Sequence, residues 1–281
     1  MKKILITGKN SYIGNKLEEW LSQWPEEYDV EKVSLRSDNW EVENWSDYHS
    51  IVHVAGIAHN SSDKSLESLY YEVNRDLSVQ VAEKAKSEGV PHFVYMSSII
   101  VFGTKEAVIT KDTLPNPDNF YGDSKLQAEQ LLEKLQSESF NIAFVRPPMI
   151  YGKGSKGNYP RLAKLAKKTP LFPSYSNRRS MLHVDNLTEL LRLLIDNSDK
   201  GYYHPQNEDY VNTFELVDEI AAMNSHRVIR TKLFNPFIAL LKDVGIINKV
   251  FGDLYYEQTM SEYHTKYCIR NFSESIRLTE E

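Results

Sequence analysis

Lys3-Ile4-Leu5-Ile6-Thr7-Gly8-Lys9-Asn10-Ser11-Tyr12-Ile13-Gly14 is the stretch on which the reading of this chain turns. Ile4-Leu5-Ile6-Thr7 is a short β-rich apolar run, and a helix carried by Leu17, Trp20 and Leu21 follows. Gly8 and Gly14 bracket the turn between them. In a strand-turn-helix of this kind the first glycine permits the tight turn and the last lets the helix pack closely. The N–H groups at the helix start can then hold a pyrophosphate. Ser11 stands where a middle glycine would let the backbone approach the phosphates, and serine is small enough to keep the reading.

Outward from that turn, further strands are expected over Val30–Leu35, Ser50–Ala55, His92–Ser97 and Asn141–Arg146. Leu69, Val73, Leu77 and Val81 recur every fourth residue in a helix that stops at Gly89 and Pro91. Strands alternating with helices predict an α/β fold, a Rossmann doubly wound parallel sheet. After Arg146 the texture changes to Pro147, Pro148, Gly152, Gly154, Gly157 and Pro160. The dinucleotide domain is therefore expected over 1–152, with a return segment at 186–206, and a smaller substrate domain over 153–281.

The second strand ends Ser34-Leu35-Arg36-Ser37, with no carboxylate to accept from a ribose 2′-OH. The Arg36 guanidinium, with Lys9 as a second cation, suits a 2′-phosphate, which favours NADP(H) over NAD.

Composition narrows the classes. The chain has 281 residues, enough for a large α/β unit and a smaller one, and 39 acidic against 33 basic side chains. The acidic excess is spread along the chain and no run of Lys and Arg would track a nucleic acid backbone. Cys268 is the only cysteine, so no internal disulfide or thiolate metal cluster is expected, which fits the cytoplasm. No apolar segment approaches a membrane span, and no membrane partner is expected. His53, His59 and His183 lack metal-ligand spacing, so no metal is expected either.

Tyr121-Gly122-Asp123-Ser124-Lys125 opens a helix in which Leu126, Leu131 and Leu135 are expected to face inward. Tyrosine and lysine four residues apart share a helical face. A phenol that titrates near ~10 needs a neighbouring cation to exchange protons at neutral pH. Lys125 supplies one, and Ser98, at the end of the fourth strand, can hydrogen-bond a substrate oxygen.

These motifs, in this order, resemble the extended short-chain dehydrogenase/reductase family of nucleotide-sugar epimerases, dehydratases and reductases. The likeness runs from Lys3 to Asp196. It includes His53-Val54-Ala55-Gly56, Asn74, Ser97-Ser98, Val101-Phe102-Gly103, Arg146 to Gly152, and Arg179-Ser180-Met181-Leu182-His183-Val184-Asp185. The resemblance implies that Ser98, Tyr121 and Lys125 do the chemistry. It places Gly8, Lys9, Ser11, Tyr12, Ile13, Gly14, Arg36, Ala55, Gly56, Asn74 and Pro148 around the cofactor, with Tyr121 and Lys125 also touching it. Arg179 and Asn158 would flank the diphosphate of a nucleotide sugar, UDP-linked in the relatives the chain resembles. A homodimer through the helices around Leu69–Lys86 and Ser124–Gln136 is implied too.

One departure is informative. The 4,6-dehydratases of that family follow the strand-end hydroxyl with Asp-Glu, and here the pair is Ile99-Ile100, which cannot move protons. Two enzymatic readings remain. The first is an NADPH-dependent 4-keto reductase of a UDP-N-acetylhexosamine derivative in surface polysaccharide synthesis, favoured by Arg36. The second is a 4-epimerase that retains NAD. A sensor or scaffold that kept the fold and lost the chemistry is the alternative from another class, and the presence of both Tyr121 and Lys125 speaks against it.

Overall fold

The computed structural model describes residues 1–36, 39–58, 63–241 and 245–281, so His59 lies outside the described residues. β1 (Lys2–Thr7) runs into α1 (Tyr12–Leu21), followed by β2 (Tyr28–Val33) and β3 (Ser50–His53). A long helix comes next in two segments, α2 (Glu67–Tyr71) and α3 (Leu77–Ser87), joined by a π turn over Glu72–Asp76. β4 (His92–Met96), a 3-10 turn over Ile99–Phe102, β5 (Val108–Ile109), α4 (Phe120–Glu133) and β6 (Asn141–Val145) complete the first half. The second half holds β7 (Met149–Tyr151), α5 (Asn158–Ala166), β8 (Leu171–Pro173), β9 (Met181–His183), α6 (Val184–Asn197) and β10 (Gly201–Tyr203). The chain ends with α7 (Thr213–Met223), β11 (Ile229–Thr231), α8 (Asn235–Leu241), α9 (Gly245–Phe251), β12 (Tyr255–Tyr256) and α10 (Phe272–Glu280).

Six strands form one parallel sheet in the order β10-β6-β4-β3-β1-β2. Its residues alternate between two cores. Ile4, Ile6, Val52, Val94 and Val145 pack on Leu17 of α1 and Leu187 and Leu191 of α6. Leu5, Ile51, Phe93 and Phe144 pack on Val81 and Ala85 of α3 and Ala128 and Leu132 of α4. Helices on both faces are the physical reason the strands read as near-continuous apolar runs. Because β2 and β3 lie on opposite sides of β1, the sheet's winding reverses there. Doubly wound sheets place their ligands at such a reversal, here at the carboxyl ends of β1 and β3. The return segment closes the sheet's edge, with β10 pairing to β6.

Two helical expectations need correction. The π turn inserts an extra residue per turn and shifts the helix phase. The buried stripe is accordingly Tyr70, Asn74, Ser78, Val81 and Ala85, while Leu69 is exposed. In α4 the inward face is Ser124, Lys125, Ala128, Glu129 and Leu132, and Leu131 is exposed.

A separate cluster builds the cap: Tyr159 and Ala163 of α5, Phe172 of β8, Val217 and Ile220 of α7, and Ile276 of α10. β12 ties the cap back to the sheet, where the buried Tyr256 hydroxyl donates to the Arg146 carbonyl at 2.8 Å.

Candidate active site

Ser11 is the N-cap of α1, and its hydroxyl accepts from the Gly14 N–H at 3.0 Å. Where a middle glycine was expected to matter, the residue caps the helix. The N–H groups of Tyr12 and Ile13, in the first turn, have no acceptor among the described residues, which leaves a site for an anion. Gly8 has φ +88°, and a Cβ there would lie 3.2 Å from the Ala55 backbone, so the β1 and β3 ends meet only because the residue is glycine. Both Gly8 and Lys9 donate their N–H to the Val33 carbonyl, which draws Lys9 to the end of β2. Lys9 and Arg36 are both exposed there.

The loop after β3 is held from beneath by Asn74, which is fully buried in the π turn. Its amide donates to the Ile57 carbonyl at 3.0 Å and accepts the Ile57 N–H at 2.9 Å. A Cβ on Gly56 would stand 3.0 Å from Asn74 Oδ1 and 3.4 Å from Lys125 Nζ. Ala55 and Gly56 thus form a floor with Asn74 and Lys125 below, a cradle that side chains would fill. The free N–H groups and this bare floor fit a nicotinamide dinucleotide.

His53 is part of the support beneath that floor. Ser78 donates its hydroxyl to the Asn74 carbonyl, so it accepts from His53 Nε2 at 2.9 Å, and Nδ1 accepts from the Thr7 hydroxyl at 2.9 Å. Burial pushes its pKa down to about 3, and the ring is neutral.

Ser98 and Tyr121 come together where α4 meets the 3-10 turn, and Lys125 follows one helical turn later. Ser98 caps the 3-10 turn, its hydroxyl accepting from the Ile100 N–H, and it stands beside the Tyr121 phenol. α4 can approach this turn because Gly122 has no side chain: a Cβ would fall 2.5 Å from the Ile100 carbonyl oxygen. Burial raises the Tyr121 pKa, the Ser98 hydroxyl opposes the rise, and the nearby Tyr70 adds to it. Lys125 donates to the Met96 carbonyl at 2.8 Å and lies over the Tyr95 ring. Burial lowers its pKa to about 8, against the pull of Glu129 one turn further on. The ammonium has three donors, and Met96 takes one. Ile99 is buried, its N–H donating to the Pro147 carbonyl next to Pro148, which is also buried.

Glu129 is not among the residues expected at the site. It forms a buried bidentate pair with Arg146, at 2.9 and 2.6 Å, and the guanidinium stacks on Phe102 and Tyr202. The signal that could have found it is its i, i+4 spacing from Lys125, which repeats that of Tyr121 to Lys125.

Arg179 lies in the cap, bridged to Val211 and Leu254, with its guanidinium donating to the Gly252 carbonyl at 2.8 Å. No carboxylate bonds it among the described residues, and burial lowers its pKa. Asn158, the first residue of α5, is exposed. No hydrogen bond joins it to Arg179 among the described residues. No group of metal-ligating side chains occurs among the described residues either.

A parallel doubly wound sheet, an anion-ready helix start and a serine-tyrosine-lysine cluster at its carboxyl edge define a nicotinamide-dependent oxidoreductase of the Rossmann type. Residues 4–211 match the NAD dependent epimerase/dehydratase family model, and the chain belongs to that family. It is 30% identical over 249 residues to the UDP-glucose 4-epimerase of Vibrio cholerae, covering 78% of this chain and 75% of that protein. An N-acetyl-α-D-glucosaminyl-diphospho-ditrans,octacis-undecaprenol 4-epimerase of Escherichia coli O157:H7 is 29% identical over 207 residues, covering 70% of this chain and 62% of that one. Among solved structures, a dTDP-4-dehydrorhamnose reductase from Bacillus anthracis in complex with NADP superposes with a TM-score of 0.70 at 25% identity. It covers 84% of this chain and 86% of that one.

Proposed function

We propose that this protein moves hydride at C4 of a diphosphate-linked sugar, UDP-linked in the first instance, and works as a 4-epimerase. The observation behind the C4 chemistry is Tyr121 beside Ser98, with Lys125 one helical turn away and the alkyl groups of Ile99 and Ile100 in the turn that Ser98 caps. A bound nicotinamide supplies the hydride acceptor and donor. As the phenolate, Tyr121 Oη would take the proton of the C4 hydroxyl on oxidation and, as the phenol so formed, return it to the oxygen on reduction. Ser98 Oγ holds that oxygen. Lys125 keeps a positive charge near the phenol and offers its remaining N–H donors to the nicotinamide ribose. Arg179 and Asn158 receive the sugar's diphosphate, one from within the cap and the other from its rim.

The two 4-epimerase relatives support the epimerase. Their names describe different carriers, a nucleotide and a polyprenol, with a diphosphate in common; Arg179 and Asn158 are assigned to that shared group. The cations Arg36 and Lys9 at the end of β2 favour the second reading, a single-pass 4-keto reductase using NADPH. Native mass spectrometry of freshly purified protein, followed by assay of UDP-N-acetylhexosamine interconversion, tests the choice. Retained NAD with turnover in both directions supports the epimerase. An empty or NADP-loaded protein that consumes NADPH with a 4-keto sugar sinks it in favour of the reductase.

A homodimer across α2 and α4, where Leu69 and Leu131 stand exposed, and a cytoplasmic setting complete the proposal.

A further inference from the structure

The acidic excess of the whole chain conceals a local reversal. Residues 153–184 hold eight Lys and Arg and no Asp or Glu, and residues 220–241 hold three and none. β8 and β11 join these two stretches in space, pairing Leu171 with Ile229. Both of those residues face outward, at 46% and 59% exposure.

The surface continues onto α8. Leu233 and Phe234 lead into the helix, and Phe237 and Leu240 stand three residues apart on it; their exposures are 73%, 42%, 67% and 82%. Ile238, one turn after Phe234, is the buried residue of α8, at 6% exposure, and anchors the helix to the protein, and the Asn235 side chain bonds the Ser174 carbonyl. Isolated exposed apolar residues are ordinary; six on the adjoining segments β8, β11 and the run into α8 are not. Lys168, Arg230 and Lys232 are exposed at its margin.

We infer that this face of the cap seats the protein on the surface of an anionic lipid bilayer. Aromatic and aliphatic side chains beside Lys and Arg form the pattern of an interfacial helix: the apolar face enters the headgroup boundary and the cations meet lipid phosphates. A second copy is the poorer occupant, because symmetric pairing would bring the same Lys and Arg margins together. No helix among the described residues is long and apolar enough to cross a membrane, so the contact is with the surface. Most of this face, β11 and α8, lies beyond residue 211, where the family match ends. The Asn248 carbonyl of α9, which follows α8, and the Gly252 carbonyl just after that helix accept from Arg179. The docking face and that guanidinium are therefore neighbouring parts of the cap. Docking does not depend on the hydride-transfer reading, since an inactive protein would dock equally.

Vesicle flotation of the full chain provides the test, with phosphatidylglycerol–phosphatidylcholine vesicles against pure phosphatidylcholine vesicles. The expected result is capture by the anionic vesicles, weakened by salt. Capture should be abolished in Phe237→Asp/Leu240→Asp and reduced about fivefold for each cation removed in Lys168→Gln and Arg230→Gln. Unchanged dinucleotide binding and circular dichroism in these variants show that they fold. No capture of the wild type at low salt overturns the inference. So does equal capture by neutral vesicles, or a concentration-dependent dimer that Phe237→Asp dissolves.

Discussion

Replacing Lys125 by methionine should change how stability depends on pH by an amount that follows from the burial of this amine. Burial lowers its pKa from 10.5 to about 8 in the folded protein. Below pH 8 both folded and unfolded chains carry the proton, and enclosing the charge costs stability in full. Between about 8 and 10.5 the unfolded chain keeps the proton and the folded chain releases it, so stability rises with pH across that window. Integrated from about pH 7 to about pH 10, this linkage gives the wild type a gain of roughly 2–3 kcal/mol that Lys125→Met lacks. Tyrosines that begin to titrate at the upper end act on both proteins alike and drop out of the difference. Urea unfolding followed by tryptophan fluorescence at both pH values measures it. If the stability difference between variant and wild type is the same at both, to within about 0.5 kcal/mol, then Lys125 does not hold a buried charge. The positive neighbour assigned to Tyr121 is then lost with it.

Three further outcomes are expected. Tyr121→Phe removes the transferable proton and should lower turnover by roughly 10²–10⁴-fold while dinucleotide affinity, followed by calorimetry, changes little. Arg36→Ala should weaken NADPH more than NADH in fluorescence titrations; equal loss for both would mean that Arg36 does not read a 2′-phosphate. Arg179→Met should raise the KM for the diphosphate-linked sugar by about tenfold or more, the worth of a charged hydrogen bond, with kcat less affected. A fall in kcat at unchanged KM would move Arg179 out of the diphosphate site.

The half of the chain built on β1 to β6 was legible because its signals are local. Strands buried on both faces show as short apolar runs, and Gly8 and Gly14 mark a turn whose geometry few other residues allow. Ser98, Tyr121 and Lys125 are set by a strand end and a helical spacing, both of which survive in one dimension. The π turn was not legible, since one inserted residue moves the inward stripe from Leu69 and Val73 to Tyr70 and Asn74 without altering the apolar count. Nor was the Glu129–Arg146 pair, whose partners come from a helix and a strand 17 residues apart. Such a pairing is a tertiary fact.

α8 shows the same limit in a sharper form. Phe234, Phe237, Leu240 and Leu241 repeat with the period of a helix that buries one face, and on periodicity alone they belong in the cap's core. In the fold all four are exposed, and Ile238 is the buried residue of α8. A hydrophobic period establishes that a face must be covered; it carries no information about what covers it. The core of the cap is already filled by Phe172, Val217, Ile220 and Ile276, so the covering has to come from outside the chain. The charge at the margin then selects among coverings. Lys168, Arg230 and Lys232 attract a phosphate surface and repel their own symmetry copies, and that makes an anionic bilayer, rather than a second subunit, the partner to test first.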